Sequence, residues 1–176
     1  MLIRCAGFGL NYADVMAVKG LYREAPPTPS IIGYEVVGRV EQCGAHVPSE
    51  LKGKRVVAMT RFGGYAEQVV TDHRACAVIP EDLQLGHAGV MATQGVTAWY
   101  SARMVCPLQK GERVLIHSAA GGVGQLLVQL ALESGCEVLR LWASPVPLVV
   151  VSRSAKVDEE VDRRACEEAG VPIVRR

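Results

Sequence analysis

The spacing of apolar residues changes period several times along the chain. Residues 2–9 alternate like a strand, and residues 11–19 suit a short helical turn capped by Asn11 or Asp14 and ended by Gly20. Pro26, Pro27 and Pro29 then exclude regular structure. Valine-rich runs at 36–40, 55–59 and 65–70 predict short strands, separated by turns at Gly44, Pro48, Gly53 and the Gly63-Gly64 pair. A further strand at 75–79 stops at Pro80. Several short strands at such close spacing suggest a small barrel.

The period then lengthens. Over residues 85–104, Ala88, Met91, Ala92, Val96 and Trp99 recur at helical spacing, which predicts a linker helix that buries those side chains on one face. An apolar strand at 114–117 runs into a glycine-rich turn and then a helix whose Val123, Leu126, Leu127, Leu130 and Ala131 point inward. Gly135 is placed to end that helix as a left-handed cap, and 136–141 supplies another strand. Strand, turn, helix and strand make a βαβ unit, which crosses right-handed to form a parallel pair. Beyond it, Pro145 and Pro147 interrupt the chain, 148–151 is a bare apolar run, and 156–169 is a charged helix candidate with Val157, Val161, Ala165 and Ala169 at helical spacing.

Composition narrows the class. A chain of 176 residues that is 49% apolar can bury a core. Nineteen basic and eighteen acidic residues nearly cancel, so no overall field favours nucleic acid or an anionic membrane, and any anion site has to be local. The six cysteines are scattered singly, without the spacing of a zinc site or a disulfide framework. Neither a signal-peptide pattern nor a membrane-spanning run is visible, so a cytoplasmic protein is expected.

The chemistry concentrates in Ala119, Ala120, Gly121, Gly122, Val123 and Gly124. Glycines at a strand-to-helix turn let a pyrophosphate approach the backbone, and the first N–H groups of the helix face the anion. The alternative is a turn kept for packing alone. An NAD site would carry an acidic residue near the end of the second strand to bind the ribose hydroxyls. After Val138 the chain instead reads Leu-Arg-Leu-Trp-Ala-Ser, leaving Arg140 or Ser144 to meet a 2′-phosphate. NADPH is therefore favoured over NADH, although Arg140 also reads as a solvated charge at a strand end.

Six stretches in order resemble the zinc-independent medium-chain dehydrogenase/reductases of the quinone oxidoreductase type, including their vesicle amine transport protein branch. They are Gly9-Leu10-Asn11-Tyr12-Ala13-Asp14, Ile32-Gly33-Tyr34-Glu35-Val36-Val37-Gly38, Gly53-Lys54-Arg55-Val56, Gly64-Tyr65-Ala66-Glu67, Gln94-Gly95-Val96-Thr97-Ala98 and Ser118-Ala119-Ala120-Gly121-Gly122-Val123-Gly124. The resemblance implies an α/β plus β chain, a partial GroES-like β-barrel followed by the first βαβ unit of a Rossmann domain, the start of a doubly wound parallel sheet. Residues 1–84 would form the partial catalytic domain, 85–141 the linker helix and partial nucleotide-binding domain, and 142–176 a tail that departs from the family.

The resemblance also assigns roles. The zinc-ligand positions of the related alcohol dehydrogenases fall on Asn11, Tyr34 and Thr93, whose neutral amide and alcohol oxygens bind zinc poorly, so no metal is expected. Hydride transfer from NADPH to a small-molecule quinone or enone would build negative charge on the substrate oxygen, and Asn11 with Tyr34 or Tyr12 would supply hydrogen bonds to it. Thr97 would sit near the nicotinamide or its ribose, with residues 119–124 at the pyrophosphate. Each has a plainer reading: Asn11 as a helix cap, Tyr34 and Tyr12 as packing rings, Asp14 and Glu35 as structural carboxylates, His117 as a core or cofactor-rim histidine. Members of the family are about twice this length, so a truncated form whose frame or gene model changes near Val138 is expected. The alternative function is a non-catalytic fragment or interaction protein that associates through open sheet edges, as a homodimer or otherwise.

Overall fold

The computed structural model describes the backbone of residues 1–140 and 151–154, with side chains through residue 139. The expectations for Ser144 and for a helix at 156–169 fall outside the described residues. The chain divides into two compact units, Met1–Thr93 and Gln94–Arg176.

In the first unit, β1 (Leu2–Phe8), β2 (Glu35–Gln42), β3 (Arg55–Met59), β4 (Gln68–Val70) and β5 (Cys76–Val78) form one antiparallel sheet in the order β4-β1-β2-β3-β5. Helix α1 (Tyr12–Val18) lies between the first two strands in sequence. The strands fall where the valine runs predict them, the run at 65–70 shortening to β4. Strand β2 has no alternation of apolar and polar residues because both its faces are covered. Val36 and Val40 pack with Ile3, Val56, Ala58 and Val69 on one side. On the other, Val37 packs with Val57, Ala88 and Ala92. A strand covered on two faces reads as an apolar run, which is what Val36, Val37 and Gly38 show before the exposed Arg39.

The expected linker helix is not one continuous α-helix. Residues 85–105 fold as α2 (Leu85–Ala88), a π-helical turn (Met91–Gly95), α3 (Val96–Tyr100) and a second π-helical turn (Ser101–Val105). A π-turn takes more residues than an α-turn and so rotates the faces that follow it. The buried positions become Ala88, Ala92, Ala98 and Ala102, while Met91, Val96 and Trp99 are exposed. The boundary between the two units falls inside the first π-turn.

In the second unit β6 (Arg113–Ile116), α4 (Gly122–Glu133) and β7 (Glu137–Arg140) form the expected βαβ unit, with β6 and β7 parallel. Leu127 and Ala131 of α4 are buried against Val114 and Ile116 of β6, with Val123, Leu126 and Leu130 packed around them. The helix ends in a Schellman motif. Gly135 stands at φ +77°, its N–H donates to Leu132 O at 3.0 Å, and Cys136 N–H donates to Ala131 O at 3.0 Å. Strand β8 (Val151–Ser154) pairs with the other side of β6 but runs antiparallel to it. Positions 141–150 are fewer than the dozen or more that a parallel crossover takes. None of the described helices is long and apolar enough to cross a membrane.

Leu127 is the large side chain of α4 with essentially no exposure, 1%. Leu127→Ala is expected to lower stability by about 3 kcal/mol through lost transfer energy and a residual cavity, seen as a lower urea midpoint by tryptophan fluorescence.

Candidate functional site

Glu35, the first residue of β2, is fully buried. A carboxylate out of water costs several kcal/mol unless protein donors replace the solvent. Two do so here. The Asn11 side-chain Nδ2 donates to Glu35 Oε1 at 2.9 Å, and the Thr93 backbone N–H donates to Oε2 at 2.9 Å. Gly9 makes room for this arrangement: a Cβ there would collide with the Gly89 carbonyl oxygen and lie 2.7 Å from Glu35 Cδ. Asn11 is itself buried and stands at the N-cap of α1 with extended backbone. The Asp14 carboxylate accepts its backbone N–H at 2.8 Å through Oδ2. Asn11 is thus at the helix cap, and its side chain is also bonded to Glu35.

Tyr34 immediately precedes Glu35. Its ring meets Tyr22 edge-on at 5.9 Å between centroids and Phe62 at 4.9 Å. Its hydroxyl oxygen is buried and completes no hydrogen bond of standard geometry. Burial first, and the neighbouring Tyr22 hydroxyl second, push the Tyr34 phenol well above its ordinary pKa, so the group stays protonated across the physiological range. Tyr65, stacked against Phe8 at 4.5 Å, has a second buried hydroxyl without a hydrogen bond of standard geometry. Burial first, and the neighbouring Asp14 carboxylate second, push the Tyr65 phenol up to about 12. An apolar groove of about 450 Å³ runs past Asn11, Asp14, Val15, Ile32 and Tyr65. Tyr12 is 60% exposed on α1, so its ring is not in the core.

The glycine turn belongs to the second unit. After β6 the backbone reaches φ +50° at Ser118, and Gly121 N–H closes the turn onto Ser118 O at 2.8 Å. Ala119 is buried and Ala120 exposed. Gly121 is the extended N-cap of α4 and offers no side-chain acceptor to the first N–H groups of the helix, those of Gly122, Val123 and Gly124. Gly124 is required by packing, since a Cβ there would strike Ser118 O and lie 2.9 Å from Ala119 Cα. A twelve-residue helix opening on N–H groups that its N-cap side chain does not meet offers partial positive charge to an anion. Thr97 lies exposed on α3 in the same unit, His117 is half-buried, and Arg140 closes β7 with its side chain outside the described residues.

Among the described residues, no group of three or more His, Cys, Asp or Glu side chains is placed to hold a metal ion. Tyr22, Phe62 and Gln94 are parts of these surroundings that sequence reasoning did not single out. The two rings come together only through tertiary contact. Gln94 lies inside a recognised motif, but no periodicity marks it as touching the glycine turn.

The model of the alcohol dehydrogenase GroES-like domain matches residues 1–110. Quinone oxidoreductase-like protein 2 of Mus musculus is 37% identical over 123 residues, 70% of this chain and 35% of that protein. The human synaptic vesicle membrane protein VAT-1 homolog-like protein superimposes with a TM-score of 0.77 at 30% identity, covering 96% of this chain and 50% of that one. Escherichia coli quinone oxidoreductase complexed with NADPH superimposes with a TM-score of 0.72 at 29% identity, covering 79% and 44%. The chain spans about a third of the length of the quinone oxidoreductase-like relatives it matches.

Removing the buried carboxylate leaves Asn11 and the Thr93 N–H without this acceptor, so Glu35→Ala should cost about 3 kcal/mol in urea unfolding. Tyr65 supplies a pH test. A phenol held near 12 in the folded chain and near its ordinary value of 10.0 when unfolded leaves stability intact below pH 10 and erodes it as pH rises towards 12. Tyr65→Phe should flatten that decline and remove one late-ionising phenol from an alkaline titration read at the tyrosinate absorbance.

Proposed function

We propose, from the premise that this chain belongs to the alcohol dehydrogenase GroES-like family and has quinone oxidoreductases among its relatives, that it is a zinc-independent oxidoreductase using NADPH to reduce a quinone or an enone. The glycine turn between β6 and α4 carries this reading. Gly121 presents bare backbone beside the first N–H groups of the helix, the surroundings a pyrophosphate needs. Residues 119–124 would hold the pyrophosphate, and Thr97 would meet the nicotinamide end. NADPH is preferred to NADH because β7 ends on Leu139-Arg140 with no acidic residue to hold the ribose hydroxyls. The dinucleotide, when bound, supplies the hydride.

The chain's own residues would then manage charge. As hydride reaches the quinone or the β-carbon of the enone, negative charge grows on the substrate oxygen, and donors fixed in advance stabilise it. Tyr34 offers a buried hydroxyl that remains protonated and completes no well-formed hydrogen bond within the chain. Asn11 offers a carboxamide oriented by Glu35. Amide, phenol and alcohol at positions 11, 34 and 93 suit hydrogen bonding to an oxyanion better than ligation of zinc, which prefers thiolate and imidazole. A cytoplasmic location is part of the same reading.

A second reading is association through sheet edges. β4 and β5 are the edge strands of one sheet and β7 and β8 those of the other, and a sheet edge is where another chain can pair. One experiment separates the two. The purified chain is titrated with NADPH by fluorescence, then assayed at 340 nm with a quinone, with size-exclusion chromatography in parallel. Binding and quinone-dependent oxidation, both reduced at least tenfold in Gly121→Val, are expected. A chain that self-associates and binds no NADPH overturns the enzymatic reading.

A further inference from the structure

The glycines of the turn have different reasons to be glycine. Gly124 answers to Ser118 and Ala119, the backbone it packs on. Gly122 answers to a side chain. A Cβ on Gly122 would coincide with Gln94 Oε1, with Gln94 Cδ 2.6 Å and Nε2 3.2 Å away. The space in which residue 122 would carry its side chain is already filled by a carboxamide from elsewhere in the same unit. Gln94 comes from the π-helical turn Met91–Gly95, an irregularity that re-aims side chains and that recurs at functional sites.

We infer that Gln94 is a positioning residue for dinucleotide binding, its carboxamide seated on Gly122 and forming one wall of the phosphate seat. This rests on the dinucleotide reading of the turn. Gln94 and Gly122 then form one unit: the long polar side chain is admitted only because position 122 has none, and the first turn of α4 is held by that side chain. A neutral carboxamide suits the place. Its oxygen is the atom nearest the helix start, and it adds no net charge beside an incoming pyrophosphate. A carboxylate of the same shape would be retained by the partial positive charge of the helix end and would repel the phosphates.

A double-mutant cycle with NADPH titration and thermal melting tests this. Gly122→Ala should weaken NADPH binding at least tenfold and lower the melting temperature, because the new methyl collides with Gln94. Combining it with Gln94→Ala should restore most of the lost melting temperature, because the methyl then occupies the vacated space, while NADPH binding stays at least tenfold weak because the carboxamide is gone. Gln94→Glu should weaken NADPH at least tenfold while melting close to the parent, a charge effect that a purely structural contact would not produce. Additive losses of melting temperature in the double variant, parental NADPH affinity in the double variant, or parental NADPH affinity in Gln94→Glu overturn the inference. If the parent chain binds no NADPH, the dinucleotide reading and with it the binding role of Gln94 fail, while the melting temperatures of the four chains still decide whether Gln94 and Gly122 are coupled.

Discussion

A carboxylate that water cannot reach must be satisfied by protein donors, and in the first unit Glu35 imposes that requirement on its surroundings. Its two oxygens take an amide N–H from Asn11, at the start of α1, and a backbone N–H from Thr93, at the end of the unit. Gly9 has to lack a side chain for the backbone to pass so close. One buried carboxyl group therefore ties together three parts of the chain that are far apart in sequence. Breaking such an arrangement from one side is costly because it strands the other groups. The same bond sets the orientation of the Asn11 carboxamide, the group proposed to meet substrate.

Beside Glu35 the chain accumulates polar atoms that its own contacts leave poorly satisfied. Tyr34 Oη, Tyr65 Oη and Asp14 Oδ1 are buried without hydrogen bonds of standard geometry. Buried polar atoms without such bonds are few in folded proteins. For Tyr34 the proposed reason is chemical, since a protonated hydroxyl whose bonding is incomplete is ready for an oxyanion. The second unit shows a similar asymmetry in its backbone: the N–H groups at the head of α4 have no side-chain cap from Gly121, while the helix foot is closed by the Schellman motif at Gly135.

Most of the strands are legible in the amino-acid pattern, because they depend on neighbours along the chain. The valine runs of β2 and β3, the glycine that ends α4 and the βαβ order all follow from residues adjacent in sequence. The interrupted linker helix is not legible in this way. Its apolar residues fit an α-helical stripe, but π-turns at 91–95 and 101–105 rotate that stripe, and alanines pack inward while Met91, Val96 and Trp99 face out. The antiparallel return of β8 onto β6 is equally hidden, since it is a pairing of residues distant in sequence.

By itself the sequence determined most of the strands, helix α4, the family motifs and the glycine turn, because helix caps, strand alternation and tight turns are decided within a few residues. Tertiary structure alone decided which polar groups are satisfied and which are left open. Whether Asn11 only caps a helix, whether Glu35 finds donors, whether the Tyr34 hydroxyl completes a hydrogen bond and whether Gln94 fills the space over Gly122 all turn on neighbours far away in the chain. Burial and hydrogen bonding depend on distance in space, and the local pattern of a chain records distance along it.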